Sequence, residues 1–106
     1  MDSKNHQALS TLKLVTIIAE PVLQDRMIDL IKRNGAKGYS LGEVQGEGPR
    51  GICASDVAGP NIRLETIVAG DVASCIFDEL AAKFFPRFSL IAYVTDVDVV
   101  RGDKYI

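Results

Sequence analysis

Hydrophobic and polar positions change their period along the chain, and each change marks an element. Residues 12–18 (LKLVTII) are rich in β-formers and almost continuously apolar, which predicts a central strand. Glu20-Pro21 opens a helix, since proline is tolerated in a first turn where its missing N–H has no partner to lose. Leu23, Met27 and Ile31 then recur four apart, with Ile28 widening the buried stripe. Lys32 and Arg33 suit the negative end of the helix dipole, and Asn34-Gly35 stops the helix. Residues 38–45 (GYSLGEVQ) alternate weakly and predict a second strand. Residues 61–68 (NIRLETIV) set Ile62, Leu64 and Thr66 against Arg63, Glu65 and Ile67, a third strand. Gly70-Asp71 begins a second helix with Asp71 as its N-cap. Its stripe is Val72, Ile76, Leu80 and Phe84, flanked by Ala73 and Phe77, and Pro86 ends it. Residues 88–94 (FSLIAYV) predict the fourth strand.

The order β-α-β-β-α-β predicts an α+β fold, a ferredoxin-like sandwich with an antiparallel sheet and both helices on one face. Residues 1–11 are polar and without period, and predict a disordered tail. That leaves residues 12–106 as one domain. Between the second and third strands the pattern collapses. Residues 46–60 (GEGPRGICASDVAGP) hold four Gly and two Pro in fifteen positions, which predicts a long mobile loop. Loops of this length inside compact domains are uncommon and usually functional or disordered.

Composition narrows the function classes. An apolar share of 47% and a mean hydropathy of +0.13 are high for 106 residues, so part of the surface is expected to meet another subunit. Twelve basic against 14 acidic side chains argue against a nucleic-acid partner. No apolar run approaches the ~18–20 residues of a membrane span, and the first residues carry no signal-peptide pattern, so a cytoplasmic protein is expected. Cys53 and Cys75 match no metal or redox spacing and read as reduced thiols. His6 is the only histidine, which disfavours imidazole chemistry and a metal site. Asp96 and Asp98 share a face but have no neighbouring base or nucleophile. No catalytic residues are expected, and the chain does not read as an enzyme.

The segment with chemical promise is Gly46-Glu47-Gly48-Pro49-Arg50-Gly51. Glycines let backbone N–H groups approach a phosphate, and Arg50 adds a charged donor. The segment lacks the Lys and Ser/Thr of a P-loop and no helix follows it, so spacing alone fits a plain hairpin loop equally well. Arg63 in mid-strand and Arg101 after the last apolar stretch each read as solvated side chains. Taken with Arg50, they would supply positive charge to a polyphosphate. Tyr39, Phe88 and Tyr93 can stack on a base, although aromatics on strands more often belong to the core.

The residues that carry a resemblance are 38–48 (GYSLGEVQGEG) entering the long loop, Pro60-Asn61-Ile62-Arg63-Leu64-Glu65 on re-entry, and 91–97 (IAYVTDV). With the element order, they resemble the PII signalling proteins over about residues 12–101. Residues 35–40 (GAKGYS), 81–85 (AAKFF) and 88–93 (FSLIAY) look most like SbtB-type members, partners of the cyanobacterial sodium-dependent bicarbonate transporter. The resemblance implies a homotrimer that binds adenine nucleotides (cyclic AMP, AMP, ADP, ATP) in the clefts between subunits. It implies a regulator of that transporter in inorganic-carbon acclimation, at the plasma membrane only when docked. Gly46, Glu47, Gly48 and Arg50 would wrap the phosphates. Arg63 and Arg101 fall near positions that are basic in the family, and Phe88, Ser89 and Leu90 occupy the loop that closes over the nucleotide. Residues 46–60 would be the T-loop, with Ile52, Cys53, Ser55, Asp56 and Val57 meeting the partner.

The departures from the family pattern are informative too. A Gly-Asp-Gly-Lys segment is replaced by Phe88-Ser89-Leu90-Ile91, a magnesium-holding Gln by Arg50, and a 2-oxoglutarate-pairing Lys by Asn61. No 2-oxoglutarate response is expected, and the loop has no Tyr to modify. A divalent cation beside ATP is left open. The Cys-containing tail of many SbtB proteins has no counterpart before Ile106, so the hydrolysis associated with it is not expected. The alternative is a CutA-like trimeric metal-tolerance protein of the same topology, disfavoured by the scarcity of His. A small ferredoxin-fold enzyme finds no acid/base pair in support.

Overall fold

The elements follow the predicted order: β1 (Leu9–Ala19), α1 (Gln24–Arg33), β2 (Ser40–Val44), β3 (Asn61–Val68), α2 (Gly70–Lys83) and β4 (Ile91–Val100). A computed structural model describes residues 9–45 and 60–106. The strands form one antiparallel sheet in the order β2-β3-β1-β4, the ferredoxin-like arrangement. The expected tail residues 1–8 and most of the expected T-loop, residues 46–59, lie outside the described residues.

The near-continuous apolarity of β1 follows from its place, with a strand on each side and side chains alternating between two faces. Val15, Ile17 and Ala19 point to the helices and are buried with Ile62, Leu64 and Val68 of β3. Met27, Leu30 and Ile31 of α1, and Ile76 and Leu80 of α2, close over them. Leu30, outside the predicted stripe, is fully buried. Thr66 lies in the same layer. Its hydroxyl donates to the Gly38 carbonyl at 2.6 Å, which satisfies a buried polar group and ties down the entry to β2.

The register places Leu14, Ile18, Ile67, Ile91, Tyr93 and Val97 on the opposite face, away from both helices. Ile91 and Tyr93 are 42% and 47% exposed, so this face carries apolar surface that no helix covers. One corner of it is covered by a C-terminal 3₁₀ turn, Gly102–Tyr105. Arg101 takes a left-handed conformation (φ 65°) that turns the chain back. Gly102 is then buried against Ser10 and Leu12.

Several boundaries differ from expectation, and polar pairs explain two of them. The fourth strand is expected at residues 88–94, but β4 runs from Ile91 to Val100. Phe88 and Leu90 instead pack against the helical core as parts of the connection. Beyond Val94, Asp96 pairs with Lys13, and Thr11 Oγ1 donates to Asp98 at 2.8 Å, so cross-strand polar contacts sustain pairing where the hydrophobic pattern ends. The same pairs carry β1 back to Leu9, which puts residues 9–11 in the sheet rather than in the tail. Asp71 is not the N-cap. Ala69 holds that position in extended conformation, and Asp71 sits in the first turn, accepting from the Val72 N–H at 2.9 Å. Pro21 opens a short 3₁₀ turn, Pro21–Leu23, ahead of α1. Asn34-Gly35 does end α1: the Gly35 N–H bonds the Lys32 carbonyl and the Ala36 N–H the Ile31 carbonyl, both at 3.0 Å, with Gly35 at φ +113°.

A polar clamp joins the helices. Glu79 of α2, 14% exposed at its side chain, accepts from Asn34 Nδ2 at 2.9 Å and pairs with Arg33 Nη1 at 2.7 Å and Lys83 Nζ at 3.4 Å. Arg33 also binds Asp29 at 2.8 Å. The Asn34 hydrogen bond, then the Arg33 contact and the two cations, hold the Glu79 carboxyl below its usual range despite partial desolvation.

Two predictions arise from these contacts. A Cβ at position 102 would lie 2.6 Å from the Ser10 Cβ, so Gly102→Ala should destabilise the fold by about 1–3 kcal/mol in thermal unfolding. Adding Ser10→Gly should recover part of that loss. Glu79→Gln should cost ~1 kcal/mol at neutral pH, since one acceptor serves three donors. A lowered carboxyl pKa stabilises the folded state above the ordinary value of 4.5, and that contribution is lost as pH falls through the folded pKa. The gap between wild type and variant in denaturant titrations should therefore close in acid.

Candidate functional site

The strand register brings some of the candidate residues to one end of the sheet. Val44 and Asn61 form the last pair of β2 and β3, so Gln45 and Pro60, the stems of the Gly/Pro-rich segment, leave the sheet there. Arg63 pairs with Gly42 on one side and Ile18 on the other, and Ile18 pairs with Ile91. At ~4.8 Å between neighbouring strands, Arg63 and Ile91 stand about 10 Å apart on the open face. Residues 88–90 lead directly into Ile91. Arg63, Ser89, Leu90 and both stems therefore share this end.

Arg63 is exposed there. It makes no ion pair among the described residues, and Gly42 opposite it has no side chain to occupy the space. A guanidinium with no ion partner among the described residues, beside two chain stems, is chemically suited to an anionic ligand with a planar fork of acceptors.

Arg101 lies elsewhere. It follows Val100 at the far end of β4, about 30 Å from Ile91 along the strand at ~3.3 Å per residue. One subunit cannot bring Arg63 and Arg101 to the same small ligand. The remaining candidates, Gly46, Glu47, Gly48 and Arg50 at the loop base and Ile52, Cys53, Ser55, Asp56 and Val57 further along, lie outside the described residues.

Phe88 is an anchor in this geometry. After α2 the N–H groups of Arg87 and Phe88 both bond the Phe84 carbonyl, at 3.0 and 2.8 Å. That turn folds the Phe88 ring back to 5.9 Å from the Phe84 ring, tilted by 34°. Arg26 of α1 lies over both, its guanidinium carbon 4.9 Å from the Phe84 centroid and 5.4 Å from that of Phe88. A ring so placed is committed to the helix layer, whereas Tyr39 and Tyr93 are exposed. Sequence reasoning passes over Arg26, because an exposed arginine on an amphipathic helix carries no signal of what it covers.

Arg26 borders a surface groove of about 390 Å³ between α1 and α2, shared with the Glu79 clamp. Its cations Arg26, Arg33 and Lys83 are matched by Asp25, Asp29 and Glu79, so the groove offers no net charge to a ligand. Among the described residues no three His, Cys, Asp or Glu side chains gather as a metal site, and no helix is long and apolar enough to cross a membrane.

Known proteins share this fold. The family model for nitrogen regulatory protein P-II matches residues 12–104. The crystal structure of a PII-like signalling protein from Thermus thermophilus is 52% identical, with 93% of this chain and 99% of that chain covered and a TM-score of 0.80. CPII from Thiomonas intermedia, in a structure bound to ADP and bicarbonate, is 25% identical, with 94% and 99% covered and a TM-score of 0.80. The same protein bound to ADP, AMP and acetate is 26% identical, with 92% and 96% covered and a TM-score of 0.80. With most of its length inside the family match, and a relative identical at half its positions, the chain belongs to the P-II family of nitrogen regulatory proteins.

Proposed function

We propose that this chain is an adenine-nucleotide sensor of the SbtB type that modulates a membrane bicarbonate transporter from the cytoplasmic side. The observation that carries the nucleotide half is Arg63, unpaired among the described residues, standing at the end of the sheet where both stems of residues 46–59 and residues 88–90 converge. A PII-like relative that holds ADP with AMP or bicarbonate supports the same ligand class. The transporter half rests on the SbtB-like segments at residues 35–40, 81–85 and 88–93 and on the length of the segment 46–60. The P-II family match favours this reading over a CutA-like metal-tolerance protein.

The uncovered sheet face fits a homotrimer, with Leu14, Ile18 and Val97 of each subunit removed from water against its neighbours. Assembly also resolves the position of Arg101. A cation about 30 Å from Arg63 in its own subunit can serve a nucleotide only at a neighbour's site. Gly46, Glu47, Gly48 and Arg50 complete the phosphate side of the site, with Ser89 and the backbone of Phe88 and Leu90 closing it. Bound nucleotide then shifts the loop between its states by no more than its differential affinity for them. Ile52, Cys53, Ser55, Asp56 and Val57 read out that shift at the transporter. Asn61 stands where a lysine would pair with a carboxylate of 2-oxoglutarate, so no response to that ligand is expected.

Calorimetry against cyclic AMP, AMP, ADP and ATP, each with and without Mg²⁺ or Ca²⁺, tests the nucleotide reading. Arg50→Ala and Arg63→Ala should each weaken ADP binding by roughly ten- to a hundredfold, the worth of a charge-assisted hydrogen bond. No binding heat with any of the four nucleotides defeats the reading. For assembly, Leu14→Glu should convert a sedimenting trimer to monomer, because it puts a charge at the centre of the apolar face. A trimer that survives this change would place the interface elsewhere.

A further inference from the structure

We propose that Arg26 is a positioning residue for the nucleotide-closing segment: its guanidinium, seated on Phe84 and Phe88, sets the path of residues 88–90. The ligand half of this proposal rests on the nucleotide reading above, whereas the positioning half does not. Ser89 stands between two anchors. Leu90 packs against the core, and Phe88 is held between the same core and Arg26. Phe84 beneath them is buried at the end of α2 and fixed by its carbonyl bonds to Arg87 and Phe88.

Arg26 makes no ion pair among the described residues, although Asp25 and Asp29 share its groove. Asp29 is taken by Arg33. Among the described residues the Arg26 guanidinium lies over the two rings and not on a carboxylate, and a planar, weakly hydrated guanidinium can lie across both where a compact ammonium cannot. The contact crosses from α1 to the α2–β4 connection. It gives the connection a partner outside its own turn, at the step just before the chain enters β4 at the same end of the sheet as Arg63.

Arg26→Gln, Arg26→Lys and, as a control, Lys83→Gln separate this role from a merely structural one. Lys83→Gln removes the same charge from the same groove and leaves Asp29 held by Arg33, so it offers Arg26 no new carboxylate. In nucleotide-free protein, ¹⁵N relaxation should show the order parameters of the Ser89 and Leu90 amides falling in Arg26→Gln and less so in Arg26→Lys. ADP affinity by calorimetry should fall about fivefold in Arg26→Gln, with Arg26→Lys intermediate. Lys83→Gln should leave both readouts at wild-type values. Wild-type order parameters at Ser89 and Leu90 in Arg26→Gln overturn the positioning. Wild-type ADP affinity in Arg26→Gln overturns the ligand role. Failure of the wild-type protein to bind ADP overturns the nucleotide reading and the ligand role together, while the relaxation data still decide the positioning.

Discussion

Everything in this molecule depends on how β1 divides its side chains between the two faces of the sheet. As a central strand it is paired on both edges, so each residue is committed to one face or the other. Odd positions from Val15 to Ala19 complete the helix-covered core. Even positions, Leu14 and Ile18 among them, leave an apolar surface that the chain does not cover with a helix of its own. A one-residue slip would exchange the two sets, so the register that closes the core also defines the open face.

The same register separates the candidate cations. Arg63 lies beside the stems of residues 46–59, and Arg101 at the far end of the longest antiparallel ladder. That ladder is long because Lys13–Asp96 and Thr11–Asp98 extend it past the apolar run. These polar pairs place Arg101 beyond reach of Arg63 within one subunit. If both cations serve one nucleotide, as proposed, that distance requires the site to be built from two subunits.

What is legible in the sequence tracks how local its physical cause is. The strict alternation Ile62-Arg63-Leu64-Glu65-Thr66 yields β3 with its limits unchanged, because one buried face is enough to impose period two. Gly35 marks the end of α1 because a left-handed position favours glycine. The limits of β4 escape the pattern, since Asp96 and Asp98 interrupt its apolar run and find their partners on β1 some eighty positions away. Leu30 and Arg26 escape it for a similar reason: each is defined by what packs on it from α2, β3 or the connection into β4. The grouping of Arg63 with residues 88–90 follows from register, whereas the loop-base candidates Gly46 to Arg50 stand on resemblance.

The two ends of β2 differ in how firmly they are held, and that difference bears on how a ligand can be transduced. At its start, the buried Thr66 hydroxyl grips the Gly38 carbonyl, and Thr66 itself belongs to the helix-covered layer. At its finish, Val44 pairs with Asn61 on an edge strand of five residues with a partner along one side, and among the described residues no side-chain hydrogen bond anchors it. Edge pairing of this kind opens at lower free energy than the centre of the sheet. Arg63 sits two residues from Asn61, at this less firmly held end. An anion that binds Arg63 in one arrangement of the stems and not in another therefore acts where the sheet resists least. The Thr66 anchor keeps that change from running back into the core.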